Sequence, residues 1–192
     1  FLLAMVVAVA VCGLLGVAIE KVAYRPLRHA PRITVLITAI GVSFLLEYVM
    51  MALVGAESKA YPDGSFGNGQ LSVAGLSINT QQLYVVAVTI IMMIALQYII
   101  KRTKIGKAMR AVSSDADAAQ LMGISVDKTI SFTFLLGSAL AAVAGVMMGA
   151  MYTINPLMGM QPGLKAFIAA VFGGIGSIPG AMLGGILLGL IE

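Results

Sequence analysis

Hydrophobic residues fall along this chain in long blocks, separated by short polar segments. Residues 1–19, 33–54, 83–100 and 130–152 are apolar almost throughout. At about 1.5 Å per residue, each block reaches or nearly reaches across a bilayer core of roughly 30 Å. The pattern therefore predicts four membrane-spanning helices. A fifth apolar stretch, 164–191, is interrupted by Gly173-Gly174-Ile175-Gly176-Ser177-Ile178-Pro179-Gly180. The predicted outcome there is two half-helices around a break, either a re-entrant segment or a broken full span. Irregular backbone at membrane depth is tolerated where protein buries it or where it lines a cavity.

The polar segments alternate in character. Residues 20–32 carry Lys21, Arg25, Arg28 and Arg32, with Pro26 and Pro31 placed to end the first helix. Residues 55–82 are rich in Gly, Ser, Asn and Asp, and Lys59 is their one basic residue. Pro62-Asp63-Gly64 predicts a turn, and the alternation over 70–78 around Gly75 predicts a short hairpin. Residues 101–128 form a second basic segment. Asn155-Pro156 and Gln161-Pro162-Gly163 predict a short turn before the interrupted stretch.

Composition agrees with the blocks. Hydrophobic residues make up 60% of the chain and charged ones 10%, at a mean hydropathy of +1.02, a balance that water does not tolerate. The fold class expected is an all-α integral membrane protein: one transmembrane domain over 1–192, a polytopic helix bundle with a broken, glycine-rich late helix. Because the chain opens at Phe1 inside an apolar run, it is read as part of a longer protein. Residues 1–19 lack the basic start of a signal peptide.

Charge orients the bundle. Ten of the twelve Lys and Arg lie in 20–32 and 101–128, which places those loops in the cytoplasm and 55–82 outside. The net charge of +4 is thus a topological signal rather than a nucleic-acid-binding face. Clustered cations at the cytoplasmic surface also favour contact with membrane lipid.

The segment 101–128 offers a solvated, shaped surface. After Lys101, Arg102, Lys104, Lys107 and Arg110, Ser114 is placed to cap a helix whose third residue is Asp117, and Gly123 to stop it. That helix would be roughly 12 Å long. Met109, Val112, Ala116, Ala119 and Met122 recur every three or four residues and predict an apolar stripe. Pattern alone leaves two readings: a helix seated in a partner's groove, or one lying on the membrane surface.

A resemblance separates them. Asp117-Ala118-Ala119 followed after three residues by Gly123 resembles the E-A-A-x-x-x-G core of the coupling loop in ABC importer permeases, with Asp in place of Glu. Residues 20–32 (EKVAYRPLRHAPR) and the following Leu36-Ile37-Thr38-Ala39-Ile40-Gly41-Val42-Ser43 are similar to a segment of permeases for branched-chain amino acids. Residues 166–185 (AFIAAVFGGIGSIPGAMLGG) resemble the glycine-rich late segment of the same family. The resemblance implies that Ser114, Asp117, Ala118, Ala119, Met122 and Gly123 couple the chain to cytoplasmic ATPase subunits. It also implies a second permease subunit and a periplasmic solute-binding protein as partners, in a bacterial inner membrane. Under it this chain is non-catalytic and holds no cofactor; ATP is bound by the partners.

Other chemistry finds little support. Glu47 is a carboxylate within the second span, read either as lining the translocation route or pairing with another helix, or as reaching toward the outer headgroups. Gly173, Gly174, Gly176 and Ser177 are read as a candidate part of that route, against close helix packing through Gly180-x-x-x-Gly184 and Gly185-x-x-x-Gly189. Gly137, Ala141, Gly145 and Gly149 predict a packing ridge on the fourth span. His29 stands without a second His or Cys and reads as a solvated loop residue, Cys12 as a small buried hydrophobe, and Lys165 as an interface anchor. The glycine-rich break lacks the Gly-Lys-Ser/Thr ending of a phosphate loop. An ion-coupled transporter or channel, the competing function, asks for titratable groups deep in several spans, and Glu47 is the one that qualifies.

Overall fold

The computed structural model describes residues 2–27, 30–59, 70–73, 76–174 and 176–191. His29, the Pro62-Asp63-Gly64 turn and Gly75 lie outside them. Within the described residues the chain folds as α1 (Leu2–Ile19), α2 (Arg32–Val54), β1 (Gln70–Val73), β2 (Leu76–Asn79), α3 (Thr80–Arg102), α4 (Lys104–Ser114), α5 (Ala116–Leu121), α6 (Val126–Met151), α7 (Met160–Phe172) and α8 (Ile178–Ile191). Helices α1, α2, α3 and α6 are long and apolar enough to cross a membrane, as the hydrophobic blocks predict. The hairpin expected over 70–78 is present, pairing Gln70 with Asn79 and Val73 with Leu76.

Two compact units are distinguishable: residues 1–45 with 60–153, and residues 46–59 with 154–192. The first is organised on α6. Helix α1 packs antiparallel along it, and the seam is tight because Gly16 has no side chain: a Cβ there would collide with Ser138. Farther along, Leu135 meets Gly13 and the Tyr24 and Phe134 rings meet at 5.0 Å, tilted by 47°. Buried Ala142, Val143 and Met147 continue the core along α6.

The first span is longer than the block 1–19: α1 runs on through a π turn, Glu20–Tyr24, and a 3-10 turn, Arg25–Leu27. A proline early in a short turn removes a donor that the turn has no need of, so the chain tolerates it. A separate helix, α2, then starts at Arg32, so Pro26 and Pro31 mark the interruption they predict. One expectation fails in this unit: among the described residues, the small-residue ridge of α6 meets no neighbour over Gly137 to Gly145. Among the described residues nothing stands within 4 Å of a Cβ placed on Gly137 or Gly145, and Ala141 is exposed. Of its four members Gly149 is buried. The face that meets α1 carries Ser131, Leu135 and Ser138 instead.

In the second unit, Lys59 and Ile154 exchange backbone hydrogen bonds of 2.9 and 2.8 Å, tying the end of α2 to the strand-like segment before α7. Asn155 makes the expected turn, its Oδ1 accepting from the Leu157 amide at 3.0 Å. Gln161-Pro162-Gly163, by contrast, are helical: they form the first turn of α7, where proline costs no hydrogen bond. Helices α7 and α8 then pack antiparallel, Gly173 against Gly180 and Ala169 against Gly184. The break is therefore a reversal, not a kink in one crossing helix. With arms of 13 and 14 residues, about 20 Å each, the hairpin is shorter than a span.

Candidate functional site

The basic segment 101–128 folds into an elbow. Thr103 caps α4, its Oγ1 accepting from the Gly106 amide at 3.0 Å. Helix α4 exposes Lys104, Lys107 and Arg110 while Met109 and Val112 are half-buried, and α4 rests on α6. Asp115, in extended conformation at φ −154°, ψ 109°, interrupts the helix, and its Oδ1 accepts from the amides of Asp117 and Ala118 at 3.0 Å each.

This corrects the expected cap. Ser114 is the last residue of α4, and Asp115 caps α5. Both types are good N-caps; the carboxylate also favours the positive end of the helix. The single apolar stripe from Met109 to Met122 is broken by the same bend. Met109 and Val112 serve α4, Ala116 is exposed, Ala119 is buried at 4% and Met122 is 83% exposed.

Helix α5 ends as its glycine predicts. The Gly123 amide donates to Gln120 O and the Ile124 amide to Ala119 O, both at 3.0 Å, with Gly123 at φ +83°. Those two bonds define a Schellman stop. Of the residues expected to couple, Asp117, Ala118, Met122 and Gly123 are exposed on the elbow, whereas Ala119 faces inward. Leu121, 89% exposed beside Met122, was not anticipated; the two make the tip of the elbow apolar.

A second constellation joins α1 to α6 at its base. Glu20 is fully buried and accepts from Ser131 Oγ at 2.7 Å. Arg25 Nη2 reaches Asp127 Oδ2 at 2.6 Å, both side chains about half exposed. An exposed ion pair is worth about 0.2–1 kcal/mol. The Glu20–Ser131 bond differs from it in being closed off from solvent, where breaking one partner leaves the other unsatisfied. Beside it opens a cleft of about 390 Å³ lined by Val17, Lys21, Asp127, Lys128, Phe132 and Leu135 among others. Sequence pattern hides Glu20, because it stands at the head of a segment rich in Lys and Arg.

The glycine-rich turn resolves into two roles. Gly173 closes the α7–α8 hairpin against Gly180. Gly174 and Gly176 adopt φ of +88° and +99°, which L side chains disfavour, and both are exposed. Ser177 Oγ accepts from the Gly180 amide at 3.2 Å and so caps α8. Glu47 is half-buried on α2. No group of three or more His, Cys, Asp or Glu that could hold a metal ion occurs among the described residues.

Comparison with known proteins bears on the same residues. The family described as "Branched-chain amino acid transport system / permease component" matches residues 1–192. The chain is 45% identical over 191 residues to the high-affinity branched-chain amino acid transport system permease protein LivH of Escherichia coli K12, covering 96% of this chain and 61% of that protein. It is 45% identical over 195 residues to the BraD permease protein of Pseudomonas aeruginosa, covering 100% and 64%. With LivH of Salmonella typhimurium the identity is 44% over 191 residues, covering 96% and 61%. The chain thus spans 61% to 64% of the length of these relatives. No solved structure matches it.

Proposed function

The chain belongs to the family of permease components of branched-chain amino acid transport systems, and we propose that it works as the membrane-spanning subunit of an ABC importer for such amino acids. In this reading it is a multi-pass protein of the bacterial inner membrane, with 20–32 and 101–128 in the cytoplasm and 55–82 outside. ATP is bound and hydrolysed by cytoplasmic ATPase subunits; this chain supplies no catalytic group. A second permease subunit completes the passage, and a periplasmic solute-binding protein delivers the amino acid to the outer loops.

The observation that carries the reading is the elbow. Asp115 and Gly123 cap α5 at its two ends and the buried Ala119 anchors it, while Leu121 and Met122 stand 89% and 83% exposed. A rigid, capped helix with an apolar tip suits a groove in a partner. Closure of the ATPase subunits would then push α5, and with it the base of α6. Asp117 and Ala118 flank the contact, Gly123 holds its shape, and Ser114 ends the helix that carries it.

For the route itself, Gly174, Gly176 and Ser177 offer exposed turn backbone between two apolar helices; if the turn lies within the membrane, lipid cannot satisfy it. Water in a passage, or a second subunit beside it, would. Glu47 is the candidate polar group on α2, and Gly173 acts indirectly by closing the hairpin.

The test is co-purification and stimulation. The complete transporter should bring down its ATPase subunits and show ATPase activity stimulated by loaded binding protein. Leu121→Asp with Met122→Asp should reach the membrane, yet lose at least about tenfold in ATPase affinity, the scale of losing buried apolar contact at an interface centre. Unchanged association in that double variant would refute the elbow as the docking surface.

A further inference from the structure

We propose that Glu20 is a positioning residue, clamping the base of α1 to α6 so that a push arriving at the elbow moves both helices as one body. The inference rests on the coupling reading above.

Four contacts make the clamp. Met122 to Ser125 lead from α5 into α6, whose first turn carries Asp127 and whose second carries Ser131. Asp127 takes Arg25, and Ser131 donates to the fully buried Glu20. Glu20 and Arg25 are the two ends of a π turn, the Arg25 amide bonding back to Glu20 O. A π turn inserts an extra residue into a helix and recurs at functional sites; here both of its ends reach the same neighbour. Between and beyond them, Tyr24 meets Phe134, and Gly16 seats Ser138.

Burial decides which contact matters most. The Arg25–Asp127 pair is about half exposed and screened by solvent, so it steers the approach of the two segments. Glu20 has no exposed surface although it stands at the wall of the cleft, so its bond to Ser131 is the less screened of the two. Elsewhere on this seam the contacts are apolar or between small residues, Gly13 with Leu135 and Gly16 with Ser138, and carry no hydrogen bond to a buried carboxyl. The clamp adds a directional bond to the packed seam at the end nearest the elbow.

The experiment uses the complete transporter in lipid nanodiscs, with Cys12→Ser and spin labels on cysteines replacing Val22 and Lys128. Val22 is 78% exposed and Lys128 is exposed. In the otherwise native protein the label separation should be the same without nucleotide and with ATP trapped. In Glu20→Ala it should broaden on ATP trapping, with ATPase subunits still bound, and amino acid moved per ATP should fall about tenfold, a typical coupling between sites. Ser131→Ala removes the same bond from α6 and should reproduce both effects, so a misfolded Glu20→Ala does not shield the proposal. Arg25→Asp should be partly rescued by Asp127→Arg. A native separation that changes with nucleotide, or Glu20→Ala and Ser131→Ala variants with full transport per ATP, would overturn the clamp alone. A native chain that holds no ATPase would overturn the coupling reading and the clamp together.

Discussion

Replacing Gly123 isolates one physical effect. Its φ of +83° lies in the left-handed region, and a Cβ placed on it meets nothing within 4 Å. Any cost of Gly123→Ala is therefore backbone strain, about 1–2 kcal/mol for a residue with a Cβ. That strain opens the end of α5 roughly 5 to 30 times more often. The amides that report it are those of Gly123 and Ile124, which donate to Gln120 and Ala119. Hydrogen exchange of the peptide spanning them should quicken by that factor in Gly123→Ala. It should quicken less in Gly123→Asn, since Asn visits this conformation more readily, and most in the β-branched Gly123→Val. Exchange at the Asp115 amide, which donates to Ala111 in α4, should stay unchanged. Stimulated ATPase activity should fall in the same order as exchange rises. The reasoning is refuted if Ala is as protected as glycine, or if Asn is worse than Ala.

Two further outcomes follow from neighbouring geometry. Asp115→Ala removes the acceptor for the Asp117 and Ala118 amides and should weaken the elbow by about 1 kcal/mol; Asp115→Ser should restore most of it, read by the same exchange measurement. Gly184→Val places a side chain against Ala169 O and should lower the thermal unfolding temperature, overpacking costing about 1–3 kcal/mol. Gly185→Val, one position along with nothing within 4 Å in this chain, is the control that should leave it unchanged in the isolated protein.

The spans were legible because a run of about twenty apolar residues has few other homes, and Gly123 because a left-handed stop has few other occupants. Contacts between distant segments were not. Glu20 and Ser131 are 111 residues apart, and beside Lys21 and Arg25 a carboxylate reads as a solvated loop group. Ser114 and Asp115 are adjacent residues of equal capping promise, so the one-residue error turned on which carbonyl α4 ended with. The break at 173–180 reads alike for a kinked span and for a hairpin; only the pairing of Gly173 with Gly180 and of Ala169 with Gly184 separates them. The ridge at Gly137, Ala141 and Gly145 shows the reverse case, a packing signal with no neighbour in contact at Gly137 or Gly145 among the described residues.

The central claim is that the tip of the elbow faces the cytoplasm and seats an ATPase there. Leu121→Cys in a Cys12→Ser background, probed with a membrane-impermeant maleimide, measures both parts at once. The account predicts labelling in inside-out vesicles and not in right-side-out ones, with the label blocked when the ATPase subunits are bound. Labelling from the outer face, or labelling indifferent to the ATPase, would contradict it.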